Sequence, residues 1–228
     1  MESKLEIKIC GLGDPAEAML CADAGADAIG LVFYSRSPRR VSISRAAQIT
    51  MMLPAHVTVV GVFVDETPAQ IIATARQAGF RVVQLHGAEP PQDVKTLQAA
   101  GLRVVKVLRS ASPATLANLA AVYAMADGFL AEGFAGPLPG GNGEAWQWSS
   151  AVTVTASGIP VALAGGLTPA NVMQAVAVAR PSAVDVSSGV ELRPGRKDIG
   201  KVRQLIHTVR NIQVGWTIFP VFCGKLRG

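Results

Sequence analysis

The 228-residue sequence has few cysteines, few aromatic residues, few charged residues and no long apolar run. Its three cysteines, Cys10, Cys21 and Cys223, form no CxxC pair, which argues against a disulfide framework and a structural zinc site. The longest apolar run falls well short of the ~18 residues of a membrane span. Residues 1–20 carry scattered charges and hold no apolar stretch of a secretory signal. We therefore expect a cytoplasmic protein that is reduced and soluble and contacts no membrane.

Positive charge is in modest excess, with 21 basic and 16 acidic side chains and a net charge of +5. Nucleic acid would fit this balance, but only 5% of the residues are aromatic, and single-stranded bases are bound largely by aromatic stacking. A small anionic ligand is the simpler partner. Basic residues are concentrated after the second predicted strand and near the end of the barrel pattern, where they would steer such a ligand: Arg36, Arg39, Arg40, Arg45, Arg193, Arg196 and Lys197.

Short runs rich in Val, Ile, Leu and Phe alternate eight times with segments of helical spacing. The predicted strands are Ile7–Cys10, Ala28–Phe33, Thr58–Val64, Val82–His86, Arg103–Leu108, Gly128–Ala131, Pro160–Ala164 and Ala183–Val186. The predicted helices lie near 15–24, 44–52, 68–79, 91–100, 113–125, 145–157, 169–179 and 198–210. A residue that can cap a helix precedes a proline at Asp14, Thr67, Ser112 and Thr168, which is typical of a helix start.

The strands are continuous apolar runs, which is typical of a parallel sheet covered on both faces. Eight such units over residues 1–210 predict a single-domain α/β protein, a closed (β/α)8 TIM barrel, with an open doubly wound sheet as the alternative. Residues 211–228 break the pattern, with aromatic residues around Pro220 and no helical spacing. We expect a tail there that is either poorly ordered or packed on the barrel, with a membrane or partner contact as the alternative.

The active site of a parallel barrel is built at the carboxyl ends of its strands. The residues at or just after the predicted strands include a thiol, carboxylates, an imidazole and a guanidinium: Cys10, Tyr34, Asp65, His86, Arg109 and Glu132. The last two strands are followed by Gly165-Gly166 and by Ser187-Ser188-Gly189, whose N–H groups and hydroxyls are unobstructed. One such glycine pair alone would be a tight turn, but both together in these loops predict a phosphate site.

A competing motif begins at Gly11, where Gly11–Ala16 formally matches the dinucleotide fingerprint G-x-G-x-x-A. The second predicted strand has no terminal acid to bind a ribose, and Asp14 would place negative charge against a pyrophosphate. A dinucleotide site is therefore disfavoured.

Seven short motifs occur in a specific order from about Lys4 to Arg210. They are Lys8–Leu12, Gly25–Phe33, Ser37–Arg39, Gly61–Val64, Gln84–Gly87, Ala164–Leu167 and Val184–Glu191. Together they resemble the phosphoribosylanthranilate isomerase family of tryptophan biosynthesis. The resemblance implies a (β/α)8 barrel, monomeric or homodimeric, without a cofactor or metal. It also implies an Amadori rearrangement of N-(5'-phosphoribosyl)anthranilate to 1-(2-carboxyphenylamino)-1-deoxyribulose 5-phosphate, in which an acid protonates the ring oxygen and a base removes the C2' proton.

The resemblance assigns the base to Cys10, whereas Cys21 lies mid-helix and is expected in the core. A free thiol has a pKa near ~8.5, so we expect positive charge at the barrel mouth to lower it. The family usually carries an aspartate after the sixth strand, and this chain has Glu132, which we expect to be the acid. A semi-enclosed site is expected to raise the pKa of this carboxyl. Asp127 precedes the strand and would lie at the opposite end of the barrel.

Four further residues match substrate-binding positions of the family. Arg39 is expected to hold the anthranilate carboxylate with its fork of donors. Asp185 is expected near the substrate amine, with a loop-capping role as the alternative. Gln84 and His86 alternate along the fourth strand and so share one face, the interior; a structural hydrogen bond is the alternative for each.

The chain departs from the family at Gly140–Gly143 and at Trp146–Trp148, which leaves the loop after the sixth strand least defined. The nearest alternative enzyme is the histidine-pathway isomerase, which uses aspartates as both acid and base and so does not explain Cys10. A catalytically silent phosphate-binding barrel and a protein-binding scaffold are the alternatives outside catalysis. The intact set of Cys10, Arg39 and Asp185 argues against a barrel that has lost its catalytic function.

Overall fold

Eight parallel strands close into a barrel in the computed structural model of the protein, which describes residues 4–133 and 146–224. The strands are β1 Glu6–Cys10, β2 Ala28–Val32, β3 Thr58–Phe63, β4 Val82–Leu85, β5 Arg103–Arg109, β6 Gly128–Glu132, β7 Val161–Leu163 and β8 Ala183–Val186. Each strand pairs with the next, and β8 pairs with β1. This last pairing excludes the open sheet and confirms the predicted TIM barrel.

The helices surround the barrel in the order in which they follow the strands. They are α1 Pro15–Asp23, α2 Ile43–Met52, α3 Pro68–Ala78, α4 Pro91–Ala99, α5 Pro113–Val122, α6 Val152–Thr155, α7 Val172–Ala179 and α8 Ile199–Arg210. A 3-10 turn, Trp148–Ala151, precedes the short α6. Between β8 and α8 lie a second 3-10 turn, Ser188–Val190, and an antiparallel pair of strands, β9 Glu191–Arg193 and β10 Arg196–Lys197.

Three of the four predicted capping side chains accept a hydrogen bond from the first turn of their helix, namely Asp14, Thr67 and Ser112. The prediction for Thr168 is wrong. The α7 helix begins only at Val172, because Asn171 Oδ1 accepts a hydrogen bond from the Thr168 N–H at 2.8 Å and closes a turn. Side chains of asparagine commonly stabilise such turns in place of a helix start.

Apolar side chains fill most of the barrel, and polar residues concentrate along β1. Because strand residues alternate between the two faces, the outward Ile7 and Ile9 leave Glu6, Lys8 and Cys10 facing the interior. All three are buried, and Lys8 has no exposed surface. We call Glu6, Lys8 and Cys10 the β1 column. It runs from the N-terminal end of the barrel to its mouth.

Residues 211–224, here called the tail segment, pack beneath the N-terminal end of the barrel. Val221 and Phe222 are fully buried and belong to the cluster of side chains that fills the barrel interior. Of the predicted alternatives for the tail, the structure shows a barrel-packed extension, and residues 225–228 lie outside the described part. Within the described residues, no helix is long and apolar enough to cross a membrane.

Candidate active site

A thiol, an ammonium and a carboxylate meet near the mouth of the barrel at the first and last strands. Lys8 Nζ donates to Asp185 Oδ1 at 2.8 Å, and both side chains are almost completely buried. Cys10 follows Lys8 on the same face of β1. Burial of an unpaired ammonium costs several kcal/mol or more, so Asp185 is the partner that makes Lys8 tolerable there.

Burial raises the pKa of the Cys10 thiol, and Asp185 raises it further, although Lys8 and Lys197 act to lower it. The expectation that the barrel mouth lowers this pKa is therefore wrong, because desolvation of the thiolate outweighs the two ammonium groups. The pKa of Lys8 itself lies above its usual value: burial lowers it, but the charge and hydrogen bond of Asp185, with a further contribution from the ionised form of Cys10, outweigh burial. In the free protein Cys10 is a thiol beside a charged lysine.

Asp185 is bound by Lys8 rather than capping a loop, which removes the predicted alternative role. A position near the substrate amine stays a prediction for this residue. Lys8 is the first residue of the motif Lys8–Leu12, but the sequence analysis did not predict it as a site residue. The signal that could have identified Lys8 is the alternation of Glu6, Lys8 and Cys10 with the apolar Ile7 and Ile9 along this strand.

A second polar group lies at the ends of β4 and β6. His86 Nε2 is 3.0 Å from Glu132 Oε2, and Gln84 Nε2 is 2.9 Å from His86 Nδ1. Arg109 NH2 lies 3.5 Å from the same Glu132 oxygen. The predicted shared face of Gln84 and His86 is present, and the two residues form a chain that ends on the Glu132 carboxylate.

The pKa of Glu132 lies below its usual value. Burial raises it, but the hydrogen bond and charge of His86, followed by Arg109 and Lys8, outweigh burial. The expectation of a raised pKa is wrong, because the hydrogen-bond donor and the positive charges around the carboxylate stabilise its ionised form more than burial destabilises it. Asp127 lies at the opposite end of β6, where its Oδ2 accepts hydrogen bonds from Val104 N and Gln98 Nε2, both at 2.9 Å.

Arg39 is held by a carboxylate that the sequence prediction did not use. Its Nε and NH2 donate to Glu191 Oε1 and Oε2 at 2.9 and 2.7 Å, and Lys197 Nζ donates to Glu191 Oε1 at 2.8 Å. Gly11 has a φ of 84° and a Cβ there would lie 2.5 Å from Arg39 Cδ, so glycine lets the arginine cross the end of β1. Arg39 is thus fixed beside Cys10.

The predicted excess of positive charge at the mouth is partly neutralised. Lys197 is buried and paired with Glu191 rather than solvated, and Arg196 Nε lies 3.4 Å from Glu17 Oε1. Arg36, by contrast, is exposed. The cations that remain to attract an anion from solution are therefore fewer than the sequence count indicates.

The loops after β7 and β8 have the geometry expected of an anion site. Gly165 and Gly166 adopt φ values of 88° and 67°, and a Cβ at Gly189 would lie 1.8 Å from the Leu167 carbonyl oxygen. The two loops are therefore in direct contact and leave their backbone N–H groups uncovered by side chains of their own. The Ser187 hydroxyl donates to the Cys10 carbonyl oxygen at 3.0 Å, which joins this region to the end of β1.

Gly30 makes room for the thiol, since a Cβ there would lie 2.6 Å from Cys10 Sγ. Its φ is not left-handed, so alanine is acceptable to the local backbone, but the thiol has to move and Cys10 Cα and Cβ, at 3.0 and 3.1 Å, are crowded as well. We expect Gly30→Ala to lower turnover by about 10-fold or more, because small displacements of a reacting group are costly. Gly13→Ala, which meets no atom within 4 Å, is the matched control and should leave turnover unchanged in the same assay. Equal rates for the two variants would contradict this role of Gly30.

Comparison with known proteins identifies the family of this barrel. A profile described as N-(5'-phosphoribosyl)anthranilate (PRA) isomerase matches residues 7–208. The chain belongs to the N-(5'-phosphoribosyl)anthranilate isomerase family. It is 41% identical over 206 residues to the N-(5'-phosphoribosyl)anthranilate isomerase of Trichlorobacter lovleyi. The matched region covers 90% of this chain and 98% of that protein. The sequence-based prediction of this family and of an isomerase is confirmed.

Solved structures of the N-(5'-phosphoribosyl)anthranilate isomerase family share the fold over nearly their whole length. The structure of the Thermotoga maritima enzyme is 34% identical in sequence and has a TM-score of 0.85. The superposition covers 91% of this chain and 100% of the Thermotoga chain. A family structure in complex with reduced 1-(o-carboxyphenylamino)-1-deoxyribulose 5-phosphate is 34% identical, with a TM-score of 0.81 and the same coverage. The family profile ends at residue 208, so the tail segment lies outside it.

Trp146, in one of the two segments predicted to depart from the family, lies against the mouth. Its Nε1 donates to the Ala164 carbonyl oxygen at 2.8 Å, and a Cβ on Gly133 would lie 2.2 Å from its Cγ. A Cβ on Gly165 would lie 3.0 Å from Nε1. The indole therefore joins the end of β6 to the predicted phosphate loop. The other predicted departure, Gly140–Gly143, lies outside the described residues.

Proposed function

We propose that this protein catalyses the Amadori rearrangement of N-(5'-phosphoribosyl)anthranilate to 1-(2-carboxyphenylamino)-1-deoxyribulose 5-phosphate in tryptophan biosynthesis, in the cytoplasm. The observation that carries the proposal is the pairing of two proton-transfer groups in one barrel mouth of this family. One is the Cys10 thiol beside Lys8, and the other is the Glu132 carboxylate beside His86. The reaction opens the ribose ring and needs one proton delivered to the ring oxygen and one removed from C2', and these groups supply both transfers.

Glu132 is proposed as the acid. Its proton passes to the ring oxygen of the ribose, the bond from this oxygen to C1' breaks, and an iminium ion forms between C1' and the nitrogen. Glu132 is ionised in the free protein, so it needs a proton before this step. In the active form this proton is on Glu132 and Cys10 is the thiolate, and His86 Nε2, 3.0 Å from the carboxyl, holds it in place.

Cys10 is proposed as the base. Its thiolate removes the C2' proton of the iminium ion, and the C–H electron pair forms an enolamine. Tautomerisation of this enolamine gives the aminoketone. Lys8 and Lys197 favour the thiolate, and the positive charge of the iminium ion favours it further at the moment of transfer.

The remaining residues are proposed to orient the two negative ends of the substrate. The loops with Gly165, Gly166, Ser187, Ser188 and Gly189 would bind the phosphate through backbone N–H groups and hydroxyls. Arg39, fixed by Glu191, would bind the anthranilate carboxylate. Asp185 would lie near the substrate amine, with Gln84 and His86 lining the interior. Binding of both ends holds the sugar between Cys10 and Glu132.

The direct test is conversion of N-(5'-phosphoribosyl)anthranilate by the purified protein, followed as loss of anthranilate fluorescence. Turnover with formation of the aminoketone is the expected result. Binding of the substrate without turnover would favour a silent phosphate-binding barrel and overturn the proposal. Turnover of the aminoaldose of histidine biosynthesis alone would favour the related isomerase.

Replacement of the proposed carboxylate anchor should affect binding more than chemistry. We expect Arg39→Ala to raise KM by about 10–100-fold with a smaller change in kcat, because a charge-assisted hydrogen bond is worth roughly 1.5–3 kcal/mol. Arg39→Lys should recover only part of this, since a lysine cannot replace the planar fork. Arg36→Ala, which removes an exposed charge near the same mouth, is the control in the steady-state assay. An unchanged KM in Arg39→Ala would contradict the assignment.

A further inference from the structure

The tail segment is attached to the barrel by an acid at the foot of the β1 column. The Glu6 carboxylate accepts hydrogen bonds from three consecutive backbone N–H groups, those of Val221, Phe222 and Cys223, at 2.8, 2.8 and 3.0 Å. Glu6 is itself buried, so its charge is balanced by these donors rather than by water. The segment is therefore held at a fixed height below the interior of the barrel.

Further contacts fix the segment to other strands at the same end. Arg103, at the start of β5, donates to the carbonyl oxygens of Val221 and Pro220 at 2.9 and 2.7 Å. Trp216 Nε1 donates to the Pro181 carbonyl oxygen at 3.0 Å, just before β8. These contacts leave Phe222 no freedom to leave the interior without breaking several hydrogen bonds.

The ring of Phe222 lies under the ammonium group of Lys8. Lys8 Nζ is 5.4 Å from the centre of this ring and 2.8 Å from Asp185 Oδ1, and the side chain of Lys8 has no exposed surface. A desolvated ammonium over an aromatic face is stabilised by the quadrupole of the ring. Lys8 is thus held from below by the tail segment and from the side by β8, directly beneath Cys10.

We propose that Phe222 is a positioning residue for the reaction: through its ring the tail segment holds Lys8 against Asp185 and the Cys10 thiol. The proposal rests on the proposed role of Cys10 as the base. It assigns a task to a segment that lies beyond the residues matched by the family profile. The tail segment at the N-terminal end of the barrel and the thiol at its mouth are thus connected through β1.

Several charged groups act on Cys10 and Lys8 besides this ring. Asp185 faces both from β8, Lys197 faces Cys10 from β10, and Arg39 lies beside Cys10 after β2. Glu132 on β6 interacts with Lys8 across the interior, and Glu6 lies on the same face of β1. None of these groups is altered by a substitution at Phe222, so a change in the thiol after such a substitution reports on Lys8.

The test compares three substitutions in the full chain carrying Cys223→Ser, which leaves Cys10 and the buried Cys21 as the thiols. Phe222→Leu removes the ring, Phe222→Tyr keeps it, and Val221→Ala removes buried methyl groups from the same segment without touching the ring. The rate of alkylation of Cys10 by iodoacetamide is measured against pH by mass spectrometry of its peptide, and the midpoint of thermal unfolding is measured alongside.

We expect Phe222→Leu to raise the apparent pKa of Cys10 by about one unit, because Lys8 is less well held and its charge lies farther from a thiol that stays buried. The plateau of kcat/KM should fall about tenfold with it. Phe222→Tyr should resemble the parent, and Val221→Ala should lower only the unfolding midpoint. If Phe222→Leu does not fold, Phe222→Met, which also lacks the ring, replaces it.

An alkylation profile that is the same in Phe222→Leu and Val221→Ala as in the parent would overturn the proposal and leave the tail segment a purely structural plug. An equal shift in Phe222→Tyr would also overturn it. The alkylation profile needs no substrate. Failure of the parent to turn over the aminoaldose would therefore refute the proposed function separately from the role of Phe222.

Discussion

Replacing Cys10 by alanine or serine is expected to lower kcat by about 10²-fold or more, the usual loss when a positioned base is removed. Serine keeps the shape of the side chain but ionises far less readily than a thiol, so it should not restore the rate. The measurement is the fluorescence assay under saturating substrate. Cys21→Ala is the matched control: it removes a thiol from the core behind α1 and should leave kcat unchanged.

The roles of Cys10 and Glu132 also predict how kcat/KM of the unsubstituted protein depends on pH. Burial raises the pKa of Cys10, whereas His86 and Arg109 outweigh burial and lower the pKa of Glu132. The free protein therefore holds a carboxylate and a thiol, the reverse of what the reaction needs. The active form, with a protonated Glu132 and a Cys10 thiolate, binds the same number of protons, so it is a constant minor fraction between the two pKa values.

It follows that kcat/KM should be flat over a wide range. The rate should fall at acid pH, where both groups are protonated and no thiolate remains, and at alkaline pH, where both are ionised and no acid remains. The acid limb lies below the usual pKa of a glutamate and the alkaline limb above the usual pKa of a cysteine. A rate that rises steadily through the thiol pKa would contradict Glu132 as the acid partner.

Replacing Glu132 by glutamine is the second change with a large expected effect. The amide fills the same space beside His86 but has no proton to donate to the ring oxygen, so we expect kcat to fall by about 10²-fold or more. The alkaline limb of the pH profile should disappear with it, because the residual rate then depends only on the Cys10 thiolate and rises with pH through the thiol pKa. Glu132→Asp, which restores the carboxyl usual in the family, should be much milder than Glu132→Gln in the same assay.

Asp127→Asn serves as the control for this strand. Asp127 accepts hydrogen bonds from Val104 N and Gln98 Nε2 at the far end of β6, so its loss should reduce stability and spare kcat. Near-normal turnover in Glu132→Gln, together with a collapse in Asp127→Asn, would mean that the acid has been assigned to the wrong end of the strand.

Most of the fold was predictable because each strand is an apolar run followed by a turn and a segment with helical spacing. Period and turn chemistry are local properties, and they located each of the eight barrel strands to within one residue of its observed ends, whereas the short β9 and β10 were not predicted. The start of α7 was missed because a local cap at Thr168 competed with the Asn171 turn, and only the folded loop decides between them.

The residues of the candidate site could be predicted from the sequence, but the directions of their pKa shifts could not. Strand ends and family motifs located Cys10, Arg39 and Glu132, since parallel strands bring their carboxyl ends together. The direction of the pKa of Cys10 depends on how completely the thiol is desolvated and on the distances to Lys8 and Asp185. Those quantities arise from packing between distant parts of the chain, and no local pattern encodes them.

The partner of Arg39 illustrates the same limit. Glu191 was visible in the motif that ends the eighth unit, but a lone carboxylate in a sequence has many equivalent partners. Only the crossing of the loop after β2 over the end of β1, which Gly11 permits, brings Arg39 to it. Contacts that join loops separated by 152 positions are set by the closure of the barrel.

The hydrogen bonds between Glu6 and residues 221–223 join parts of the chain that are 215 to 217 positions apart. Contacts of such long range form late, because the whole intervening chain must first be brought together. During synthesis on the ribosome, Glu6 and Lys8 therefore keep their hydration after most of the barrel has emerged. We expect this end of the barrel interior to become dry only when the tail segment packs against it, so that docking of residues 221–223 and burial of Glu6 and Lys8 coincide.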